Sequence, residues 1–492
     1  MADVESYEQA VEFLFSRVNY ERLSGMQYTG DDFKLDRMRE LLRRLGDPQE
    51  TIPAVHIAGT KGKGSTAALT AQILSAAGIR AALFTSPHIS AFEERMAVGG
   101  VYPARHELVE LVRQLADVVT DLDKTPGQMS PTYFEIATAL AWLYFQERRA
   151  EIAVLEVGMG GRLDATNLCR PAVSIITSIS RDHTRQLGSR LEQIAREKAG
   201  IIKQKVPVVS GVTSDPARAV IVETCQSRNA PLSLLGRDFG YRYFPATSAR
   251  VETPDDAPGN APGNAPDNHG GSTVDIETPG KQWRNLALPL VGEHQARNLA
   301  LATVAVQRLQ EQGWKIPDAA IGTGLTHFRW PGRIEVLSRQ PTVIIDAAHN
   351  WEAVAALLRT LDESFAARRR VLVFAATRDK DVPGMLRQLL PKFDTVVVTC
   401  FQNNPRHVPV ETLVSMVRGL TDQPLHAAAD AAAAWKLARR FAARDDLICI
   451  TGSFFIAAEM RELLVDGGAS ASPGESAATE QIVTEGARTK GA

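Results

Sequence analysis

Apolar residues recur along this chain in two rhythms: short unbroken runs, and longer stretches where they return every three or four residues. The runs at 55–58, 81–85, 151–157, 173–179 and 206–210 are bounded by Gly, Pro and polar residues, and their length predicts strands buried on both faces. Helical spacing fills the rest. Residues 35–45 place Leu35, Met38, Leu41, Leu42 and Leu45 on one stripe that Gly46 and Pro48 end, and 7–18 repeat the pattern. Residues 132–145 carry Phe134, Ile136, Ala137, Leu140 and Ala141, enough for a strongly buried helix. Strands and helices in alternation predict a mostly parallel sheet covered on both faces.

A second alternation begins near Trp330. Its runs at 343–346, 371–374, 396–398 and 447–450 are separated by helical stretches such as 351–358 and 431–443. The predicted fold class is therefore α/β: a mostly parallel P-loop sheet domain over 1–328 and a smaller Rossmann-like α/β domain over 329–466. From 252 to 272 the chain repeats Ala-Pro-Gly-Asn at Ala257 and Ala261 and Ala-Pro-Asp-Asn at Ala265. That composition cannot bury a core, so it reads as a disordered surface insertion, with order returning near Leu286. Residues 467–492, rich in Gly, Ala, Ser and Glu, read as a disordered tail.

Composition narrows the classes. A chain of 492 residues is too long for one ordinary core. With 44% hydrophobic and 23% charged residues and a formal net charge of −2, nothing points to a nucleic-acid or anionic-membrane partner. No apolar run approaches the roughly 20 residues that span a bilayer, and residues 1–5 lack the basic start and apolar core of a signal peptide, so a cytoplasmic location is expected. Cys169, Cys225, Cys400 and Cys449 have no metal-type spacing and suggest neither a disulfide framework nor a zinc site.

Candidate chemistry collects at strand ends, where open α/β sheets bind ligands. The run at 55–58 leads into Gly59, Thr60, Lys61, Gly62, Lys63, Gly64, Ser65 and Thr66, then an alanine-rich helix. A glycine-rich strand-to-helix turn carrying lysine is a phosphate cradle for ATP. Backbone N–H groups turn towards the anion, Lys63 supplies a point charge, and Ser65 or Thr66 offers a hydroxyl to Mg2+. Gly64 intervenes where the common P-loop spelling places the hydroxyl residue. Ser86, Pro87 and His88 stop the second run. Glu156 sits just before Gly158-Met159-Gly160-Gly161, where it can ligate Mg2+ beside the phosphates or merely end a strand in solvent. His183 follows Asp182 at another strand end, and could bind metal or phosphate or be structural. Lys198 has the spacing of a surface lysine. Gln295 and Asn298 open a helix, as nucleotide contacts or as capping residues. The segments 346–350 and 451–453 both lie between a strand and a helix and should line a crevice.

Taken in order, Gly59 to Ser65, Thr85 to His88, Leu155 to Asn167, Asp182-His183-Thr184, Glu197 to Ile201, Gly292 to Gln295, Trp330 to Arg333 and Asp346 to Asn350 resemble the folylpolyglutamate synthases, including bacterial bifunctional dihydrofolate synthase/folylpolyglutamate synthases, within the Mur-ligase-like superfamily. The off-pattern Gly64 is that family's own spelling. The resemblance implies that ATP phosphorylates a carboxylate of a pteroate or folate, and that the amino group of L-glutamate attacks the acyl phosphate, giving dihydrofolate, folylpolyglutamate or both. It implies a catalytic set of Lys63, His183, Lys198, Arg333 and His349. It also implies two Mg2+ sites drawn from Ser65, Glu156, His183 and a carbamylated Lys198. Asn298, Arg333 and Asp346 would meet the nucleotide, and Ser86, Pro87, His88, Asp164 and Ser453 the other substrates. A monomer taking ATP, L-glutamate and folate or dihydropteroate is expected, and the 161–167 loop is similar to the bifunctional pattern.

The chain departs from the family at Ala347, where glycine is common, at Trp351, where proline often follows Asn350, and at Ser180-Arg181, which replace a small apolar pair. Two rival readings remain. A cell-wall amino-acid ligase would carry a further N-terminal domain, whereas about 50 residues precede this loop. A nucleotide-binding regulatory protein would bind ATP without turnover.

Overall fold

Side chains of the strand β1 (Pro53–Ala58) divide between two cores. Ala54 joins Met38, Leu41, Trp142 and Phe145 on one side of the sheet, while Val55 and Ile57 join Leu69, Ile73, Leu299 and Val304 on the other. Period-two alternation in a strand with helices on both faces gives this result. The computed structural model describes residues 4–19, 35–125, 130–182, 184–246, 271–326, 328–402 and 404–466. His183, the tail at 467–492 and the expected insertion up to residue 270 lie outside the described residues.

The first sheet adds β2 (Ala81–Phe84), β3 (Met96–Val98), β4 (Ile152–Glu156), β5 (Arg170–Ile176), β6 (Val208–Ser210) and β7 (Leu232–Leu234). Its spatial order is β3-β2-β4-β1-β5-β6-β7, parallel except for the edge strand β3. Thus β1 lies between β4 and β5, with Val55 opposite Val154 and Val173. The carboxyl ends of β1, β2, β4 and β5 open onto one crevice. Beside them runs the helix Tyr133–Glu147, started by a reciprocal cap in which Thr132 N–H donates to Glu135 at 2.8 Å. Trp142, Tyr144 and Phe145 are all buried, which is why this helix shows no polar stripe.

A three-stranded antiparallel sheet follows, from β8 (Gly240–Phe244), β9 (Thr273–Thr278) and β10 (Lys281–Ala287). This corrects the expectation that order returns near Leu286. Val274 and Ile276 alternate with polar residues and are buried, and Gly280 makes the turn at φ 84°. The neighbouring Pro/Gly/Asn repeats masked the short pattern.

The last sheet comprises β11 (Glu335–Arg339), β12 (Thr342–Ile345), β13 (Arg370–Phe374), β14 (Thr395–Val398), β15 (Leu425–Ala427) and β16 (Leu447–Thr451), in the order β11-β12-β16-β13-β14-β15. Only the β11–β12 pairing is antiparallel. Leu372 and Phe374 pack under the helices Trp351–Ser364 and Val382–Leu389, and Val371 and Val373 pack on the opposite face. Among the described residues no helix is long and apolar enough to cross a membrane.

Candidate functional site

The phosphate loop leaves β1 and enters the helix Lys63–Ala76, with Gly62 as its N-cap at φ 83°. Only glycine takes that conformation cheaply. A Cβ on Gly62 would also lie 2.3 Å from Asn298 Oδ1. Asn298 is buried and donates to Gln295 Oε1 at 2.9 Å, so the helix Glu293–Glu311 props the loop from beneath. The first N–H groups of Lys63–Ala76 have no intrahelical acceptor, which leaves them for an anion. Ser65 and Thr66 are buried there, and Thr66 Oγ1 has no partner among the described residues.

Glu156, at the end of β4, is buried rather than exposed. One oxygen accepts the Ser86 N–H at 3.1 Å, and the other lies 3.9 Å from Lys63 Nζ. Burial pushes its pKa up, and the charge of Lys63 opposes that shift. Asp164 accepts N–H groups from Met159 and Thr166, at 3.0 Å each, and the Thr166 hydroxyl. Its carboxylate therefore pins the glycine loop that follows β4, and burial raises its pKa.

Lys198 corrects the surface reading. Its helix, Leu191–Ala199, lays this residue behind the phosphate loop, where it is 4% exposed and donates to the Gly59 carbonyl at 2.9 Å. Burial, helped by the charge of Lys63, lowers its pKa from 10.5 to about 7. Helical spacing placed it on a face; only packing showed that this face is covered.

The opposite wall belongs to the last sheet. Asp346 accepts the N–H groups of Ile334 and Ala348 at 2.9 and 2.8 Å, which holds its loop against β11. Arg333 stands 5.7 Å over the Phe454 ring. Ser453 caps the helix Phe454–Arg461 by accepting from Ile456 N–H. His349 Nδ1 donates to the Ala347 carbonyl at 2.9 Å, leaving Nε2 as an acceptor 3.3 Å from Lys61 Nζ. The charge of Lys61 and burial hold its pKa well below the ordinary histidine value, so the ring is neutral.

These walls enclose one cavity of about 1870 Å³, lined by Lys63, Glu156, Asp164, Arg333, Asp346 and His349. Ser86, Pro87, His88 and Ser453 line it too, whereas Gly59, Thr66 and Lys198 lie behind its surface. Its far recess is walled by Phe15, Tyr133 and Phe134, with Arg37 bonded to Glu135 at 2.7 Å. There the guanidinium of buried Arg95 donates to His88 Nδ1 at 2.8 Å and sits over the Tyr133 ring. Sequence reasoning missed this recess and also Lys380, 3.6 Å from Asp182. The signal for Lys380 was the charged run Arg378-Asp379-Lys380-Asp381 close after a strand.

The Mur ligase middle domain matches residues 57–306, and the glutamate ligase domain of Mur ligases matches residues 332–454. Fold and site thus define an ATP-dependent ligase of the Mur type. The dihydrofolate synthase/folylpolyglutamate synthase of Bacillus subtilis is 38% identical over 358 residues, spanning 72% of this chain and 78% of that protein. The Mycobacterium tuberculosis folylpolyglutamate synthase complexed with ADP and AMPPCP superposes with a TM-score of 0.81 at 31% identity, covering 93% of this chain and 98% of that one. Escherichia coli FolC in complex with DHPP and ADP gives a TM-score of 0.76 at 28% identity, covering 95% and 99%. The chain belongs to the folylpolyglutamate/dihydrofolate synthase family.

Proposed function

We propose that this protein uses ATP to phosphorylate a carboxylate of dihydropteroate or a folate and joins the acyl group to the amino nitrogen of L-glutamate, acting both as dihydrofolate synthase and as folylpolyglutamate synthase. The observation that carries this reading is a single cavity onto which the phosphate loop, Glu156, the aromatic recess, Arg333 and His349 all open. Its volume exceeds the roughly 300–1,000 Å³ of a one-ligand pocket. The relative from Escherichia coli binds DHPP and ADP together, which supports a pterin-bearing substrate in the recess.

The chemistry brings two anions together, so fixed positive charge matters more than a strong base. Loop N–H groups and Lys63 hold the triphosphate, and Arg333 approaches it from the other wall. The glutamate nitrogen must attack as a neutral amine. Neutral His349 already accepts a hydrogen bond from the Lys61 amine at Nε2, and that charge leaves it a weak base, so it holds Lys61 beside the reaction zone rather than taking up the proton released as the amide forms. Closing the two walls keeps water from the acyl phosphate.

The residues fit a magnesium ion carried with the nucleotide. Ser65 and the second oxygen of Glu156 would hold it, and a Cβ on Gly64 would come within 3.1 Å of the other Glu156 oxygen, filling the gap between loop and carboxylate. Bound there, Mg2+ neutralises charge on the transferred phosphoryl group. Among the described residues no three His, Cys, Asp or Glu side chains cluster as a metal site. A second ion would draw on His183 and a carbamylated Lys198.

Purified protein with ATP, L-glutamate and either dihydropteroate or tetrahydrofolate tests the proposal. Glutamate-dependent ADP release with both acceptors is expected. Release with tetrahydrofolate alone would remove the dihydrofolate synthase activity, and release with neither would leave a nucleotide-binding protein without turnover.

A further inference from the structure

Contacts across the crevice converge on one carboxylate. Asp182, in the loop after β5, holds Lys61 of the phosphate loop at 2.9 Å. From the opposite wall it meets Lys380 at 3.6 Å and Asn350 Nδ2 at 3.4 Å. Lys61 crosses the crevice itself, to His349 Nε2. The side chains of Lys61, Asp182 and Lys380 are only 24, 12 and 16% exposed, so solvent and salt screen this cluster far less than a surface pair. Alternating charge continues beyond it, because Lys380 lies 3.5 Å from Asp379 and Asp379 lies 3.8 Å from Arg406. Lys63 already supplies the phosphate charge beside Glu156, whereas the amine of Lys61 is turned to Asp182.

We propose that Lys61 and Asp182 are positioning residues forming a charged clasp across the crevice, which sets His349 and Asn350 over the phosphate loop and acts on the reaction through closure. The expected phosphate role of Lys61 is thereby reassigned. The magnitude follows from geometry. The Lys61–Asp182 bond lies within the first wall and holds both side chains in place, whereas the contacts of Asp182 with Lys380 and Asn350 and of Lys61 with His349 form only when the walls are together, and substituting either residue loses both kinds. Removing them therefore slows turnover and leaves nucleotide affinity on the first wall nearly intact. The inference rests on the ligase reading for its kinetic arm, but closure can be measured without turnover.

The test uses the full chain and the variants Lys61→Met, Asp182→Asn, the double substitution, Lys380→Met and Lys61→Arg. Small-angle scattering with AMPPCP reads closure, titration calorimetry reads nucleotide binding, and ADP release reads turnover. Each of Lys61→Met and Asp182→Asn should lower kcat about tenfold, keep the AMPPCP Kd within about threefold and give a larger radius of gyration with AMPPCP than the unsubstituted protein. The double variant should be no worse than either single one. Lys61→Arg should restore closure, and Lys380→Met should reproduce the defect from the other wall should a loop variant fail to fold. An AMPPCP Kd raised tenfold with closure and kcat intact would make Lys61 a phosphate ligand and overturn the clasp; so would additive losses, or equal radii of gyration throughout. Absence of ADP release by the unsubstituted protein would instead count against the ligase reading, leaving scattering to decide the clasp.

Discussion

Carbamylation of Lys198 can be tested quantitatively, because a carbamate forms only from the neutral amine. With a pKa of about 7, about three-quarters of the side chain is neutral at pH 7.5, against about 0.1% of an ordinary lysine. The buried position thus raises the reactive form by roughly 700-fold. Protein stripped of CO2 at pH 6 should lose most of its glutamate-dependent ADP release and regain it with bicarbonate, following a midpoint near pH 7. Labelled bicarbonate should give a lysine carbamate signal by 13C NMR that Lys198→Met lacks. Folding is linked to the same proton. Between pH 7 and 10.5 the unfolded chain keeps the proton that the folded chain has released, so stability from this group rises with pH across that window and its burial is most costly below pH 7. Lys198→Met should therefore stabilise the fold more at pH 6 than at pH 9. An amine that titrates near 10, no labelled adduct and bicarbonate-independent activity would together refute the reasoning.

Gly62→Ala combines about 1–2 kcal/mol of left-handed backbone strain with the clash against Asn298, so AMPPCP affinity should fall at least about tenfold; unchanged affinity by calorimetry would show that the loop relaxes freely. Glu156→Gln keeps an acceptor for the Ser86 N–H but removes the charge facing Lys63, and the Mg2+ concentration for half-maximal activity should rise at least about tenfold. Trp142→Ala, in the core under β1, should cost about 3–5 kcal/mol in urea denaturation, while KM values for the remaining folded enzyme stay unchanged.

What could be read before folding was local. The run at 55–58 followed by three alternating glycines, Lys63 and a helical stretch states its own geometry, because strand, turn and helix are set by residues within a few positions of one another. Apolar runs at 343–346, 371–374, 396–398 and 447–450 likewise became the four central strands of the last sheet. Neighbours from distant sequence were not legible. Whether Lys198 meets water or the Gly59 carbonyl, whether Glu156 ends a strand in solvent or beneath Lys63, and whether Asn298 faces a nucleotide or props Gly62 all depend on which helix arrives from far along the chain. The sequence by itself determined the central strands of the two parallel sheets, the loop and the kind of ligand it could cradle, since backbone preference and side-chain period act locally. Only the tertiary structure decided which charges are buried, which are paired and which wall faces which, because desolvation and Coulomb energy depend on distances that packing alone creates.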